Sequence, residues 1–227
     1  MPGHFTFFSE EIEHGFARFS ESEAKHMVQV LRFSVGDEVW CTDGKGHRFR
    51  TELVSASKKD VKAKIVETLT IEPPTFTLVV GVLKSTDRME WLLEKTVELG
   101  LQKLVWTACD NSERAKVFLD KLMKTCVAAM KQSHGSWLPV LEHMSFKEAI
   151  QKFGDEAYIA HCSGGLAYSA KDLKADSVVF IGPEGDFSES EIKIAKEKGC
   201  KELQLGSRIL RTETAAIAAC AAANLQV

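Results

Sequence analysis

Over the first 72 residues, apolar side chains recur mostly at every second position: Val39 and Cys41, then Phe49, Thr51 and Leu53, then Val61, Ala63 and Ile65. Period-two alternation turns one face of a strand toward a core, and the DGKG at 43–46 between two such runs reads as a hairpin turn. Short strands joined by tight turns predict a small β-barrel. One stretch breaks the alternation. In SESEAKHMVQVLR, Ala24, Met27, Val28 and Leu31 fall at three- and four-residue steps, which predicts a helix. Pro73 and Pro74 can continue neither a ladder nor a helix, and they divide the chain into 1–72 and 73–227.

Beyond the prolines the pattern becomes strand, helix, strand, helix. TFTLVVGVL is apolar throughout and rich in β-branched residues, as expected of a strand buried on both faces. MEWLLEKTVELG predicts a helix closed by Gly100, KLVWTAC a strand, and residues 116–132 a long amphipathic helix. SFKEAIQKFG predicts a helix capped by Ser145 and ended at Gly154. EAYIAHC and SVVFIG predict strands. SESEIKIAKEKG carries a capping box from Ser188 to Glu191, LQLG is a last short strand, and an alanine-rich helix follows. Such alternation defines an α/β domain with a mainly parallel sheet.

Composition excludes more than it assigns. The 227 residues carry a net charge of −3, which does not mark a nucleic-acid binder by charge alone. Arg48 with Arg50, and Lys58 with Lys59, form local basic pairs, though such runs more often face solvent. No apolar run is long enough to span a membrane, and the N-terminus lacks the pattern of a secretory signal, so a cytoplasmic protein is expected. Six cysteines without a CxxC pair argue against a zinc site and a disulfide framework.

In a parallel sheet, ligands lie beyond the carboxyl ends of the strands. Two loops occupy that position, IGPEGDFS at 181–188 and LGSRILRT at 205–212. GxGxxG and GxxxxGK[ST] are absent, which weakens a dinucleotide or nucleoside-triphosphate reading. Gly182, Gly185 and Gly206 permit close backbone approach to a flat ligand, and Pro183 leaves main-chain groups free to read base edges. Thr212 is placed to cap the last helix, with Glu213 in its first turn facing the dipole. Arg208 and Arg211 stand beside a glycine loop with no acidic neighbour before Glu213, and paired guanidinium donors suit a carboxylate or phosphate.

IGPEGDFSESEI at 181–192 together with LGSRILRTETAA at 205–216 closely resembles the paired signature of the RsmE family, the 16S ribosomal RNA uracil-N3 methyltransferases of the SPOUT superfamily. RMEWLLEKTVELG at 88–100, SER at 112–114 and HMVQVLRFSVGDEV with DGKG at 26–46 extend the resemblance over nearly the whole chain. It implies a PUA-like β-barrel that helps hold ribosomal RNA, then a trefoil-knotted α/β methyltransferase domain acting as a homodimer. It also implies S-adenosylmethionine bent in the knot, touched by Gly182, Pro183, Glu184 and Gly185, by Leu205, Gly206, Ser207, Ile209 and Leu210, and by Thr212, with His161 near the same pocket. The implied substrate is a uridine of the decoding region, conventionally numbered 1498, on the assembled small subunit.

N3 of uracil carries a proton and is a poor nucleophile until it leaves. A positive group beside O2 or O4 favours the anion, and Arg211 is the first candidate, Arg208 the second. Glu184 and Glu213 are candidate bases with ordinary structural explanations, loop anchoring and helix capping. Arg32, Arg48, Arg88 and Arg114 are the expected RNA contacts, while Arg88, Lys95 and Glu98 share a helix face for which two readings stand, one turned toward the site and one of surface salt bridges. Two departures from the family pattern stand out: Gly135 where an arginine is common, and Ser207 where proline is common. Ribose 2′-O methylation is the competing enzyme reading, and a non-catalytic ribosome-assembly factor the competing reading from another class.

Overall fold

The computed structural model describes residues 5–113, 116–162 and 168–225. The chain divides into two compact units, one made of the residues up to Pro73 with Val127–Leu138, the other of Pro74–Cys126 and Pro139 onward.

The first unit holds β1 (Thr6–Phe8), β2 (Glu11–Glu13), β3 (Phe16–Phe19), α1 (Glu21–Lys25), β4 (Glu38–Thr42), β5 (His47–Ala56) and β6 (Val61–Thr70). Its strands join in the order β1-β4-β5-β6-β3-β2. The small barrel is an open half-barrel: no ladder links edge strands β1 and β2 among the described residues, and each is only three residues long. The alternation works as expected, for Val39, Cys41, Phe49, Leu53, Val61 and Ala63 all point into one core. DGKG turns β4 into β5, with Asp43 Oδ1 accepting from the N–H of Lys45 and of His47. The expected single helix is instead a short α-helix capped by Ser20 and continued by a π-helical turn, His26–Val30.

The second unit contains β7 (Phe76–Gly81), α2 (Thr86–Glu98), β8 (Leu101–Ala108), α3 (Leu119–Gln132, its last turns counted with the first unit), β9 (Val140–Ser145), α4 (Phe146–Phe153), β10 (Tyr158–Ala160), β11 (Tyr168–Ser169), β12 (Val178–Ile181), α5 (Glu189–Glu197), β13 (Lys201–Gln204) and α6 (Thr212–Asn224). The sheet order is β11-β13-β10-β12-β7-β8-β9, and every ladder in it is parallel. β7 sits inside this sheet and all six of its residues are buried, which accounts for its unbroken apolar sequence. The Ser188–Glu191 box forms as expected, and the expected Ser145 cap is boxed as well, with Glu148. Gly100 ends α2 with φ +84, a conformation costly for residues with a Cβ, and donates to Val97 O. β9 has no strand signal in sequence: none of its six residues is buried, and it forms by pairing along β8.

From β13 the chain returns through 205–211 to α6, which packs on α2, β7 and β12, whereas β13 lies beyond β10. Ala215, Ala216, Ala219, Cys220 and Ala223 are buried, and their small side chains let the helix axis approach its neighbours closely.

Candidate active site

Because the ladders are all parallel, β13, β10 and β12 present their carboxyl ends side by side. A cavity of about 570 Å³ opens there, walled by Ala160–Cys162 after β10, Ile181–Glu184 and Asp186 after β12, and 203–212 after β13, with Arg88 and Ala215 closing it. Cavities of roughly 300–1,000 Å³ accommodate small organic ligands and cofactors.

The first loop is tightly specified. A Cβ on Gly81 would overlap the backbone of Pro183, so glycine at the end of β7 is what lets this loop lie against the strand. Asp186 adopts a left-handed φ of +59, tolerated by a short side chain that bonds locally. Its Oδ1 accepts from Phe187 N (2.8 Å) and its Oδ2 from Cys162 N (2.9 Å), joining the ends of β12 and β10. Asn111 Nδ2 donates to Gly185 O (3.0 Å) and Asp186 O (3.2 Å). Glu184 Oε1 accepts from Lys84 N (3.2 Å). At the start of α5, Ser188 donates to Asp110 Oδ2 (2.7 Å) and Glu191 accepts from Asp110 N (3.0 Å), tying the loop's far end to β8.

Of the residues expected from sequence, Gly182, Pro183, Glu184, Leu205, Gly206, Ser207, Ile209, Leu210, Thr212 and His161 line the cavity, as do Arg208 and Arg211. Gly185 does not: it faces Asn111, and a Cβ there would stand 3.1 Å from Asn111 Cβ. The capping expectation for Thr212 is corrected. α6 begins at Thr212, which is buried as its first helical residue, and Arg211 takes the cap position (φ −67, ψ 153) without a side-chain capping bond. Glu213 does occupy the first turn. Arg208 and Arg211 are exposed, and neither side chain forms an ion pair or hydrogen bond among the described residues; the Arg211 carbonyl accepts from Ala215 N (2.8 Å) as α6 begins. Ile209 between them is 84% exposed.

His161 is deeply set, its side chain 1% exposed, with Nε2 3.0 Å from Glu202 Oε1. Lys196 reaches the other oxygen of Glu202 at 3.0 Å. Burial alone would raise the Glu202 carboxyl, but Lys196 and His161 outweigh it and hold it below the usual range. Arg88 lines the cavity between Glu184 and Glu213. Lys95 and Glu98 pair with each other at 3.0 Å and take no part in the wall. In the first unit, Arg48 lies 5.2 Å from the ring centre of Trp40, Arg50 is held between Glu38 and Glu67, and Arg32 is exposed with φ +61. Arg114 lies outside the described residues.

Sequence reasoning missed Asp186, Asn111, Cys162 and the strand-end residues Ala160, Ile181, Leu203 and Gln204. Only Asp186 had a local signal, an aspartate following glycine in a turn. All six cysteines are free, five of them buried and Cys162 exposed at the cavity. No helix among the described residues is long and apolar enough to cross a membrane.

An RNA methyltransferase domain model matches residues 71–224, and an RNA methyltransferase PUA domain model matches 19–66. Ribosomal RNA small subunit methyltransferase E of Bacillus subtilis is 30% identical over 224 residues, spanning 90% of this chain and 88% of that protein. A probable rRNA methyltransferase of Porphyromonas gingivalis superposes with a TM-score of 0.87 at 32% identity over 95% of both chains. Ribosomal RNA small subunit methyltransferase E of Neisseria gonorrhoeae, solved bound to S-adenosyl methionine, superposes with a TM-score of 0.84 at 29% identity over 96% of this chain and 95% of that one. With its half-barrel, its parallel sheet and its cavity-forming loops all inside these matches, the chain belongs to the RsmE family of RNA methyltransferases.

Proposed function

We propose that this protein transfers a methyl group from S-adenosylmethionine to N3 of one uridine of 16S ribosomal RNA in the small subunit, the position conventionally numbered 1498. The observation that carries this reading is the convergence of two main-chain loops on one cavity whose mouth bears two arginines without carboxylate partners among the described residues. The Neisseria relative, which shares the fold over nearly its whole length, holds S-adenosyl methionine.

The residues present suit that cofactor. Ile181, Leu203, Leu205, Leu210 and Ala215 offer apolar walls to a flat base, and the main chain of the two loops offers donors and acceptors to its edges. Asp186 provides negative charge for an ammonium group, and Arg208 or Arg211 positive charge for a carboxylate. When bound, S-adenosylmethionine supplies a methyl group already activated on a sulfonium sulfur.

The chain's own task is then to orient the uracil and to favour loss of the N3 proton. Arg211, and next Arg208, supports this role by holding charge at the cavity mouth, where O2 or O4 turns negative as the proton departs. We assign Glu184 to anchoring rather than to proton removal, because its carboxylate is occupied by the Lys84 N–H and approached by Arg88. His161, bonded to Glu202, stiffens the wall. We further propose that Arg32, Arg48 and Arg114 touch RNA, and that the protein works in the cytoplasm as a homodimer. The exposure of two large apolar side chains, Trp91 on α2 and Leu225 after α6, supports the homodimer reading.

Incubation with undermethylated small subunits followed by mass mapping of nucleosides tests the assignment. The expected product is 3-methyluridine at one site. A 2′-O-methylated ribose would move the protein to a different reaction, and the absence of any methylated nucleoside with cofactor bound would leave only an assembly role.

A further inference from the structure

Arg88 was expected, from its sequence motif, to contact RNA, and its surroundings point elsewhere. Its Nη1 lies 3.8 Å from Glu184 Oε1 and its Nε 3.9 Å from Glu213 Oε1. Both separations exceed hydrogen-bond length, so the guanidinium is balanced between two carboxylates by charge rather than locked to either. The Glu213 side chain is only 8% exposed, and its Oε2 is buried with no hydrogen-bond partner. A carboxylate so placed needs a countercharge, and Arg88 is the cation whose ion pair to it is seen. Glu184 is fixed independently to the Lys84 N–H, just before α2 begins.

The two carboxylates belong to different segments of the chain, and of the two only Glu184 lines the cavity itself. Glu184 is in the loop following β12, and Glu213 is in the first turn of α6, directly after the loop 205–211. Arg88 stands on α2 with its side chain 39% exposed, itself part of the cavity wall. We infer that Arg88 is a positioning residue of the cofactor pocket, a charged clasp that holds the two loops in register, and not an RNA contact. The inference rests on the function proposed above. With two carboxylates sharing its charge, Arg88 has little left for a phosphate, whereas Arg208 and Arg211 keep theirs. A lysine cannot replace it, since one ammonium cannot present separate nitrogens to two groups on opposite sides.

The test compares wild type with Arg88→Gln, Arg88→Lys, Glu213→Gln and the double variant Arg88→Gln/Glu213→Gln. Calorimetry reads S-adenosylmethionine affinity, steady-state assays split KM from kcat, and binding to undermethylated small subunits is followed against salt. Arg88→Gln should weaken cofactor binding about tenfold, a typical size for a coupled charge contact, and raise its KM in proportion with kcat at saturation little changed. Arg88→Lys should not restore it, and the double variant should be no worse than Arg88→Gln alone. The salt slope should equal that of wild type. Cofactor affinity unchanged in Arg88→Gln, or a slope shallower by about 0.7–0.9 as expected for one lost phosphate contact, overturns the inference. Should Arg88→Gln fail to fold, unchanged affinity in both Glu213→Gln and Glu184→Gln overturns it equally. Wild type that bound no S-adenosylmethionine would instead sink the proposed function, a result distinguishable at the first titration.

Discussion

Replacing Arg211 with alanine isolates a charge with little collateral damage. The side chain is exposed, makes no ion pair among the described residues, and forms no capping bond although it sits at the cap position of α6. Truncation therefore orphans no buried group and leaves the helix start intact, and the unfolding midpoint should hold. What disappears is a positive charge beside the developing uracil anion. Loss of one such stabilising donor costs about 10²–10³ in kcat, or ~3–4 kcal/mol. An open, water-accessible mouth weakens the field, so the lower end, about 100-fold, is expected. The pH profile carries the signature. Well below the N3 pKa in the wild-type complex, both enzymes draw on a small anion fraction and the deficit is full. Above that pKa the wild-type anion is already formed while the variant still gains, so the gap narrows with rising pH. The assay is single-turnover methyl transfer to undermethylated subunits at saturating cofactor, between pH 6.5 and 9.5 (~3 units, enough to resolve a slope near one). A deficit under threefold, or one constant across the range, would refute a role for Arg211 in stabilising the anion.

Three further outcomes follow from the packing and the titrating groups. Gly81→Val pushes a side chain into the backbone of Pro183, so urea unfolding should show a loss of about 1–3 kcal/mol, with weakened cofactor binding; an unchanged midpoint and affinity would contradict the close approach. Iodoacetamide should label Cys162 alone in the native protein, since the other five cysteines are buried and burial pushes Cys41, Cys126, Cys200 and Cys220 up to about 12. Desolvation and then Asp186 raise the Cys162 thiol as well, so labelling should be slow and accelerate with pH, and S-adenosylmethionine should protect it; rapid, unprotected modification would place the cofactor elsewhere. Glu142 is held below the usual carboxylate range chiefly by Lys152, against its own desolvation and with help from Lys103. Its contribution is present above the unfolded-state pKa and lost as pH falls through the lowered folded one, so wild type should exceed Glu142→Gln in stability at neutral pH and converge with it in acid; a difference that grew on acidification would reverse the assignment.

Much of the fold was legible because its signals are local. The Ser145 cap, the Ser188–Glu191 box, the DGKG turn and the Gly100 stop each close over three or four residues, so their geometry is written where the residues stand. The cap position of α6 was misplaced by one residue because Thr212, a good capping type, is drawn into the helix and buried against the cavity. β9 was invisible because an edge strand with Glu142 and His143 exposed or half-exposed has no apolar period, and only β8 beside it makes it a strand. Arg88 looked like a surface cation since its partners lie far along the chain.

The sequence by itself determined most of the strands and helices, where the glycine loops fall, and, through the paired loop motifs, the family. Tertiary structure alone decided that Asp186 would bridge to Cys162, that Asn111 would hold Gly185, and that Arg88 would stand between Glu184 and Glu213. The reason is separation: backbone propensity and capping act within a few residues, whereas these contacts exist only once a parallel sheet has brought distant strand ends to one side.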